Sequence, residues 1–296
     1  MIGELAALGA AISWTISAML YKKALSETKP ISANIIRLTC TGAILLVFVV
    51  VLGKFGVLTS LPTDIVVLAS VSGIVGLGIG DTLYMMSLKA IGVARAVPIT
   101  CTYPLFSLLW EVFLIGKPPL PVTLGATTIV LGILLVSQES ERNRVEMQRR
   151  ILLMGVAFAL ATAVAWSISI TMINVAVKET PNLDHALAIN IIRVTAIAIS
   201  LLALSPLIDK GSNFRKTNRK TLATLIAGGI VALGFGWFLL TYSFTEIAGS
   251  RAVPISSTTP LFSTLVSIVL LHEEVTAKNA LGSIIIVIGI FLIFLF

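Results

Sequence analysis

Few side chains in this sequence can do chemistry, and most of them stand inside long apolar runs. Arg37 and Arg193 each follow an asparagine by three residues, in the identical tetrapeptides Asn34-Ile-Ile-Arg37 and Asn190-Ile-Ile-Arg193. That spacing puts amide and guanidinium on one helix face. An arginine within a membrane span is costly and usually faces a cavity or a partner. Facing inward, the pair would hold the carboxylate or phosphate of a small molecule. The competing reading is that both, a few residues into their spans, extend to the lipid headgroups. Asp81 follows Gly76-Leu-Gly-Ile-Gly80 deep in another apolar run, and Glu111 lies in the next. A lone buried carboxyl must be protonated or paired. Such acids suit proton coupling, or counter-charge to a substrate ammonium; otherwise they are neutral, hydrogen-bonded and structural.

Other chemistries are excluded. Gly78-Ile-Gly80-Asp81 spells the G-x-G-D of intramembrane aspartyl proteases, which need two carboxylates sharing a proton. The other aspartates, Asp64, Asp184 and Asp209, fall at span ends or in loops. No strand precedes these glycines, so they form no dinucleotide site; Gly76 and Gly80 instead make a G-x-x-x-G pair for close helix packing. Cys40 and Cys101 lie inside apolar spans and His185 and His272 are far apart, which argues against a disulfide framework and a metal site. No cofactor is expected, and without a nucleotide-binding motif any energy would come from a gradient.

Trp14, Trp166, Trp237, Tyr84 and Tyr103 are candidate cavity walls. Trp14 and Trp166 gain weight from Ser13, Thr15, Ser17, Ser167 and Ser169, which make a polar stripe on otherwise apolar helices.

These residues are positioned by a duplicated scaffold. Arg95-Ala-Val-Pro98-Ile-Thr-Cys-Thr-Tyr-Pro104-Leu-Phe-Ser107 recurs as Arg251-Ala-Val-Pro254-Ile-Ser-Ser-Thr-Thr-Pro260-Leu-Phe-Ser263, identical at 10 of 13 positions and offset by 156 residues. Each copy carries two prolines, Pro98 and Pro104 or Pro254 and Pro260, in a run long enough to cross a bilayer. A proline removes one N–H and crowds the carbonyl a turn back, and in lipid the freed carbonyl needs another partner. The hydroxyls of Thr100, Thr102, Ser256, Ser257, Thr258 and Thr259 stand where they could supply it. A kinked helix with local repair is one reading; a discontinuous helix lining a substrate path, with Thr102 and Thr258 among its contacts, is the sharper one.

Hydrophobic residues make up 57% of the chain and charged residues 12%, half the charge of a usual soluble domain at about 25%. The expected fold is therefore all-α and integral to the membrane. Ten spans are predicted, near 3–21, 33–53, 65–86, 93–115, 121–138, 151–175, 186–207, 221–244, 250–271 and 277–295. Residues 3–138 and 151–296 form two five-span units joined by a charged linker, 139–150. Ala11-Ile-Ser-Trp14 pairs with Ala163-Val-Ala-Trp166, Gly78 and Gly80 with Gly234 and Gly236, and Gly125 and Gly132 with Gly282 and Gly289. Five spans per unit is an odd number, so the second unit runs through the membrane in the opposite sense. Inverted repeats are the architecture of many secondary transporters, with the site at the repeat interface. Met1-Ile-Gly-Glu4 has no basic stretch before the first span, so no cleavable signal is expected.

With these residues in view, the chain resembles the EamA type of the drug/metabolite transporter superfamily. The resemblance rests on Trp14 and Trp166, Arg37 and Arg193, and the duplicated Ala-Val-Pro and Pro-Leu-Phe segments. It implies two five-helix repeats and the transport or export of small metabolites such as amino acids, or of drugs. The chain departs from the family after the fourth span, where Gly-Glu is frequent: the copies here read Gly116-Lys117 and His272-Glu273-Glu274.

A secondary transporter in the plasma membrane is the expected function. The rivals are an organic-anion or phosphate-ester exchanger, favoured if the arginines and Lys89 act together, and a non-transporting scaffold or sensor. The expected partners are a small-molecule substrate and membrane lipid, with the protein a monomer or homodimer. The net charge of +7 sits in loops, where anionic headgroups account for it without nucleic acid. Odd-numbered loops hold fifteen Lys and Arg and even-numbered loops four. Charge bias then puts both termini outside, whereas the resemblance implies that they are cytoplasmic.

Overall fold

The computed structural model describes residues 1–107, 120–136, 146–179, 181–210, 213–273 and 275–294. Among these residues every regular element is a helix. The principal ones are α1 (Ile2–Ala24), α2 (Pro30–Val51), α3 (Thr63–Ile91), α4 (Val93–Thr100), α5 (Leu120–Val136), α6 (Glu146–Glu179), α7 (Leu183–Ile208), α8 (Arg219–Glu246), α9 (Gly249–Ser256), α10 (Thr259–Val269) and α11 (Ala277–Phe294). Seven described segments are long and apolar enough to cross a bilayer: α1, α2, α3, α7, α8, Arg149–Glu179 of α6, and Arg251–Val269 across α9 and α10. Thr127–Val136 and Ala277–Leu292, shorter apolar helices, lie in the fifth and tenth expected spans.

Local sequence sets the helix ends. Pro30 opens α2, a position where its missing N–H costs nothing. The Asn182 and Asn218 side chains accept from His185 N–H and Thr221 N–H, both at 2.8 Å, at the starts of α7 and α8. Gly92 separates α3 from α4 with φ of 77°, a left-handed conformation that glycine adopts without strain.

One feature was not anticipated from the glycine pattern. In α3 and α8 the segments Ile74–Gly80 and Ile230–Gly236 are π-helical. These widened turns occur at the same register, 156 residues apart. Each leaves carbonyls for a buried amide: Asn34 Nδ2 donates to Leu77 O at 3.0 Å, and Asn190 Nδ2 to Leu233 O at 2.8 Å. Single π turns often mark functional sites.

The packing is crosswise. Helix α1 lies on α8 and α6 lies on α3, while α2 pairs with α7, α4 with α10, and α5 with α11. Each pair joins the first part of the chain to the second. Close approach depends on glycine. A Cβ on Gly80 would sit 2.9 Å from Cδ1 of Trp166, and one on Gly236 2.7 Å from Nε1 of Trp14. Gly132 and Gly282 face one another's carbonyls at the α5–α11 contact. Val47, Val51, Ile199, Leu207 and Leu265 remain exposed, as expected of side chains that face lipid.

Polar contacts between loops separate two ends of the bundle. At one end Glu27 accepts from Asn218 and, at 2.8 Å, from Thr221; Ser32 donates to Asp209 at 3.1 Å; and Lys22 lies 3.8 Å from Glu273. At the other, Lys54 pairs with Asp184 at 2.5 Å and Arg251 with Glu4 at 3.0 Å. Among the described residues, odd-numbered loops thus meet at one end and even-numbered loops at the other. Burial pushes the Asp209 carboxyl up, but the Phe214 N–H, Asn213, Ser32 and the charge of Lys29 pull harder and leave it below its ordinary value.

Candidate functional site

At the centre of the bundle the π segment of α3 ends at Asp81, whose side chain turns toward α2 and α6. One carboxylate oxygen pairs with Nη2 of Arg37, and the other accepts from Nε1 of Trp166 at 2.7 Å. The rest of the guanidinium is also held. Nε of Arg37 donates to Asn34 Oδ1 at 2.8 Å, and Nη1 to the Tyr21 hydroxyl at 3.0 Å, which itself donates to Gly228 O at 2.8 Å. The guanidinium carbon lies 4.9 Å from the Tyr21 ring centroid. Arg37 is 1% exposed and Asp81 2%. The headgroup reading of the arginines is therefore overturned, and Asp81 is not a lone acid: each neutralises the other, as burial requires.

The second set of the same residues is arranged differently. Arg193 is fully buried. Its Nε donates to Ser72 Oγ at 3.0 Å and its Nη2 to Ser169 Oγ at 3.2 Å, and its guanidinium lies 4.4 Å from the Trp237 ring. Trp237 occupies the position that Asp81 holds in the first copy. Nη1 of Arg193, Nε1 of Trp14 and Oδ1 of Asn190 are buried without a hydrogen-bond partner.

Between these two clusters lies a cavity. Trp14, Trp166 and Trp237 form a cluster, with Trp14 and Trp166 edge-on to Trp237 at centroid distances of 5.2 and 6.5 Å. Tyr84 and Tyr103 approach Trp166 at 5.1 and 6.4 Å. Arg37 and Asp81 form its charged wall. The space open to a water-sized sphere's centre is about 30 Å³, room for two or three waters at roughly 10–15 Å³ each. Larger cargo requires the aromatic walls to move.

Of the residues singled out in the sequence, Trp14, Arg37, Asp81, Tyr84, Tyr103, Trp166 and Trp237 line this cavity. Asn34, Asn190 and Arg193 stand behind it. Thr102 and Thr258 do not reach it: they donate to Ile99 O and Ile255 O, each at 2.7 Å, repairing the helix breaks. Thr100, Cys101 and Thr259 present themselves to the cavity instead. Pro98 and Pro254 lie inside α4 and α9, the helical hydrogen bonding breaks just after each, and Pro104 and Pro260 sit at the start of the helix that resumes. Glu111 lies outside the described residues.

Sequence reasoning missed Tyr21 and Ser72. For Tyr21 a signal existed: Trp14, Ser17 and Tyr21 recur at three and four residues and share a helix face. Glu273 was left in doubt, and the structure gives it a place, capping α4 across the odd-loop end.

Comparison with known proteins identifies the family. The EamA-like transporter family model matches residues 1–138 and again 153–295. A protein of Archaeoglobus fulgidus described as an uncharacterized transporter is 23% identical over 296 residues, covering all of this chain and 99% of its own length. A crystal structure of another protein superposes with a TM-score of 0.69 over 98% of this chain and 95% of its own, at 20% identity. The fold is thus a known one, and the chain is a multi-pass membrane protein belonging to the EamA-like transporter family.

Proposed function

We propose that the protein is a secondary transporter of the plasma membrane that exports a small, partly apolar metabolite bearing a carboxylate, an amino acid first among the candidates. Residues 3–138 and 151–296 act as two inverted five-helix repeats that rock about the cavity, in a monomer or a homodimer. The observation that carries this reading is the Arg37–Asp81–Trp166 cluster opening on an aromatic cavity where α1, α2, α3, α6 and α8 converge. Aromatic faces suit the apolar part of such cargo, and arginine suits its carboxylate. Asp81 supplies the coupling. On the less acidic side Asp81 is ionised and its charge receives the substrate's ammonium group as cargo binds. When the cavity opens to the more acidic side, a proton on Asp81 cancels that counter-charge and cargo leaves; loss of the proton on return resets the site, so one proton enters as one cargo molecule goes out.

Flux into proteoliposomes, measured across a panel of amino acids with and without an imposed pH gradient, tests this. Gradient-driven accumulation of at least one of them is the expected result. Absence of any flux would return the protein to the scaffold reading. The organic-anion or phosphate-ester exchanger is kept as a second reading because Arg37 and Arg193 are both buried at the centre of the bundle against one carboxylate there, Asp81, the other buried acid among the described residues, Asp209, lying at the odd-loop end; strict one-for-one anion exchange, blind to the pH gradient, would select it.

A further inference from the structure

The same three groups occur twice in this core, and only one set is satisfied. In the first set the Asn34 carbonyl, the Arg37 guanidinium and the Trp166 indole N–H all have partners. In the second, Asn190 Oδ1, Arg193 Nη1 and Trp14 Nε1 have none. Buried donors without acceptors are uncommon and ask for an explanation. The acceptor that serves both donors of the first set is the Asp81 carboxylate, one oxygen to each. Its counterpart, Trp237, has no acceptor to offer. Its ring packs against both residues that carry the orphan donors, with the Arg193 guanidinium 4.4 Å from it and the Trp14 ring 5.2 Å away.

We propose that Arg193 Nη1 and Trp14 Nε1 form an anion subsite for the substrate's carboxylate, covered by Trp237 until cargo arrives. This deepens the reading above and rests on it for the identity of the cargo. The Arg37–Asp81–Trp166 cluster is then a built-in copy of the occupied subsite, showing the geometry that a planar two-oxygen acceptor takes between an arginine and an indole. Charge points to the same ligand class. Arg37 and Arg193 against Asp81 leave one unbalanced positive charge in the described core, which a monocarboxylate neutralises and a phosphate dianion overshoots. The serines agree: Ser72 and Ser169 hold Nε and Nη2 of Arg193, leaving Nη1 free. Trp237 leaves by rotation about its side-chain bonds, and that rotation also enlarges a cavity now sized for a few waters.

The test is thermal unfolding of the purified full-length protein in detergent, titrated with sodium acetate against sodium chloride and inorganic phosphate at matched ionic strength. Acetate should raise the unfolding temperature saturably. Trp14→Phe, which keeps a ring and removes the N–H, and Arg193→Gln should each raise the acetate midpoint about tenfold or more, the loss of roughly one charge-assisted hydrogen bond. Tyr242→Phe, which removes a hydroxyl from a ring outside the cavity lining, serves as the control that leaves the midpoint in place. Trp237→Asp, which supplies the missing carboxylate from the chain itself, should unfold at a higher temperature than the neutral Trp237→Asn and respond no further to acetate. The subsite is wrong if acetate gives no saturable shift, if the Trp14→Phe and Arg193→Gln proteins respond like the parent, or if phosphate is preferred. A saturable acetate response in a protein that moves no amino acid would leave the subsite standing and remove only the transport reading.

Discussion

The Glu273 carboxylate spans the first turn of α4, with Oε1 accepting from Val93 N–H and Oε2 from Ala94 N–H, each at 3.0 Å. Two orphan amides at a helix start are thereby satisfied by an acid from the far end of the chain, and the helix dipole favours the same charge. A Cβ on Gly92 would stand 2.7 Å from Oε1, so a side chain there would displace the acid as well as strain the backbone. Because Glu273 follows the broken span of the second copy and α4 begins that of the first, this contact ties the two together at the odd-loop end. Glu273→Gln is expected to cost about 1 kcal/mol of stability, the usual scale for a lost cap, and to speed opening of that end. Chemical denaturation and the accessibility of a cysteine placed at Ser17 would report the two effects separately.

Arg37→Lys and Arg193→Lys should both fold, yet transport less well. A lysine keeps the charge and loses the planar fork that lets one side chain serve three partners at once. A tenfold or greater loss in kcat/KM is expected for each, corresponding to about 1.4 kcal/mol. Parent-like flux in both variants would demote the arginines to structural anchors.

Asp81→Asn is expected to abolish proton-driven accumulation. From sequence alone this variant should insert and fold normally, because Asp81 stood as an isolated acid. The ion pair with Arg37 revises that expectation: removing one partner of a buried pair costs about 3–5 kcal/mol. The double variant Asp81→Asn with Arg37→Gln should regain much of this stability while remaining uncoupled. Equilibrium exchange of substrate by the double variant, compared with accumulation under a pH gradient, checks the assignment.

Gly80→Ala and Gly236→Ala ask whether the indoles must be where they are. Each new methyl would press on one indole, Trp166 or Trp14, and α3 or α8 would have to separate from α6 or α1. Overpacking of this kind costs about 1–3 kcal/mol. Gly80→Ala should in addition lengthen the Trp166–Asp81 hydrogen bond. Tryptophan fluorescence should shift in both variants, and Gly234→Ala, whose added Cβ meets nothing closer than 3.8 Å, should leave it unchanged.

Acid should loosen the odd-loop end. The Asp209 carboxyl is held below its ordinary value of about 3.9, so the folded state binds its proton less readily than the unfolded one. Its contribution is complete above about pH 4 and disappears as pH falls through the depressed folded value. Asp209→Asn should lower stability at neutral pH and flatten the dependence below about pH 4, measured by denaturation at fixed ionic strength.

Much of this was legible in the sequence because the duplicated segments carry their own internal control. The helical membrane fold, the breaks between paired prolines and the aromatic cavity wall follow from hydropathy and from residues that recur at one offset. What sequence could not supply was which side chain reaches which. Thr102 and Thr258 recur at the same offset as the prolines, yet their hydroxyls are consumed by the carbonyls that the breaks release, while Thr100 and Thr259 face the cavity. The partner of Asp81 could not be found by period either, because it sits on a different helix 44 residues away. The π turns left no residue signature beyond glycines that also read as packing contacts. Glu273 was obscured by a mismatch in the turn it occupies, and only the fold brings that turn against Val93.

The crosswise packing also bears on how the chain is made. A ribosome adding roughly 5–20 residues per second finishes Arg37 several seconds before Asp81, and Asp81 longer still before Trp166, 85 residues further on. During that interval a guanidinium has entered the membrane without its carboxylate, and α3 waits with the glycine-lined face that α6 and α7 cover. Water, headgroups or the insertion machinery must shelter these groups until the second copy emerges. A chain that stops after residue 138 therefore carries an unfinished surface, and degradation by membrane quality control, rather than a folded half-protein, is its expected fate.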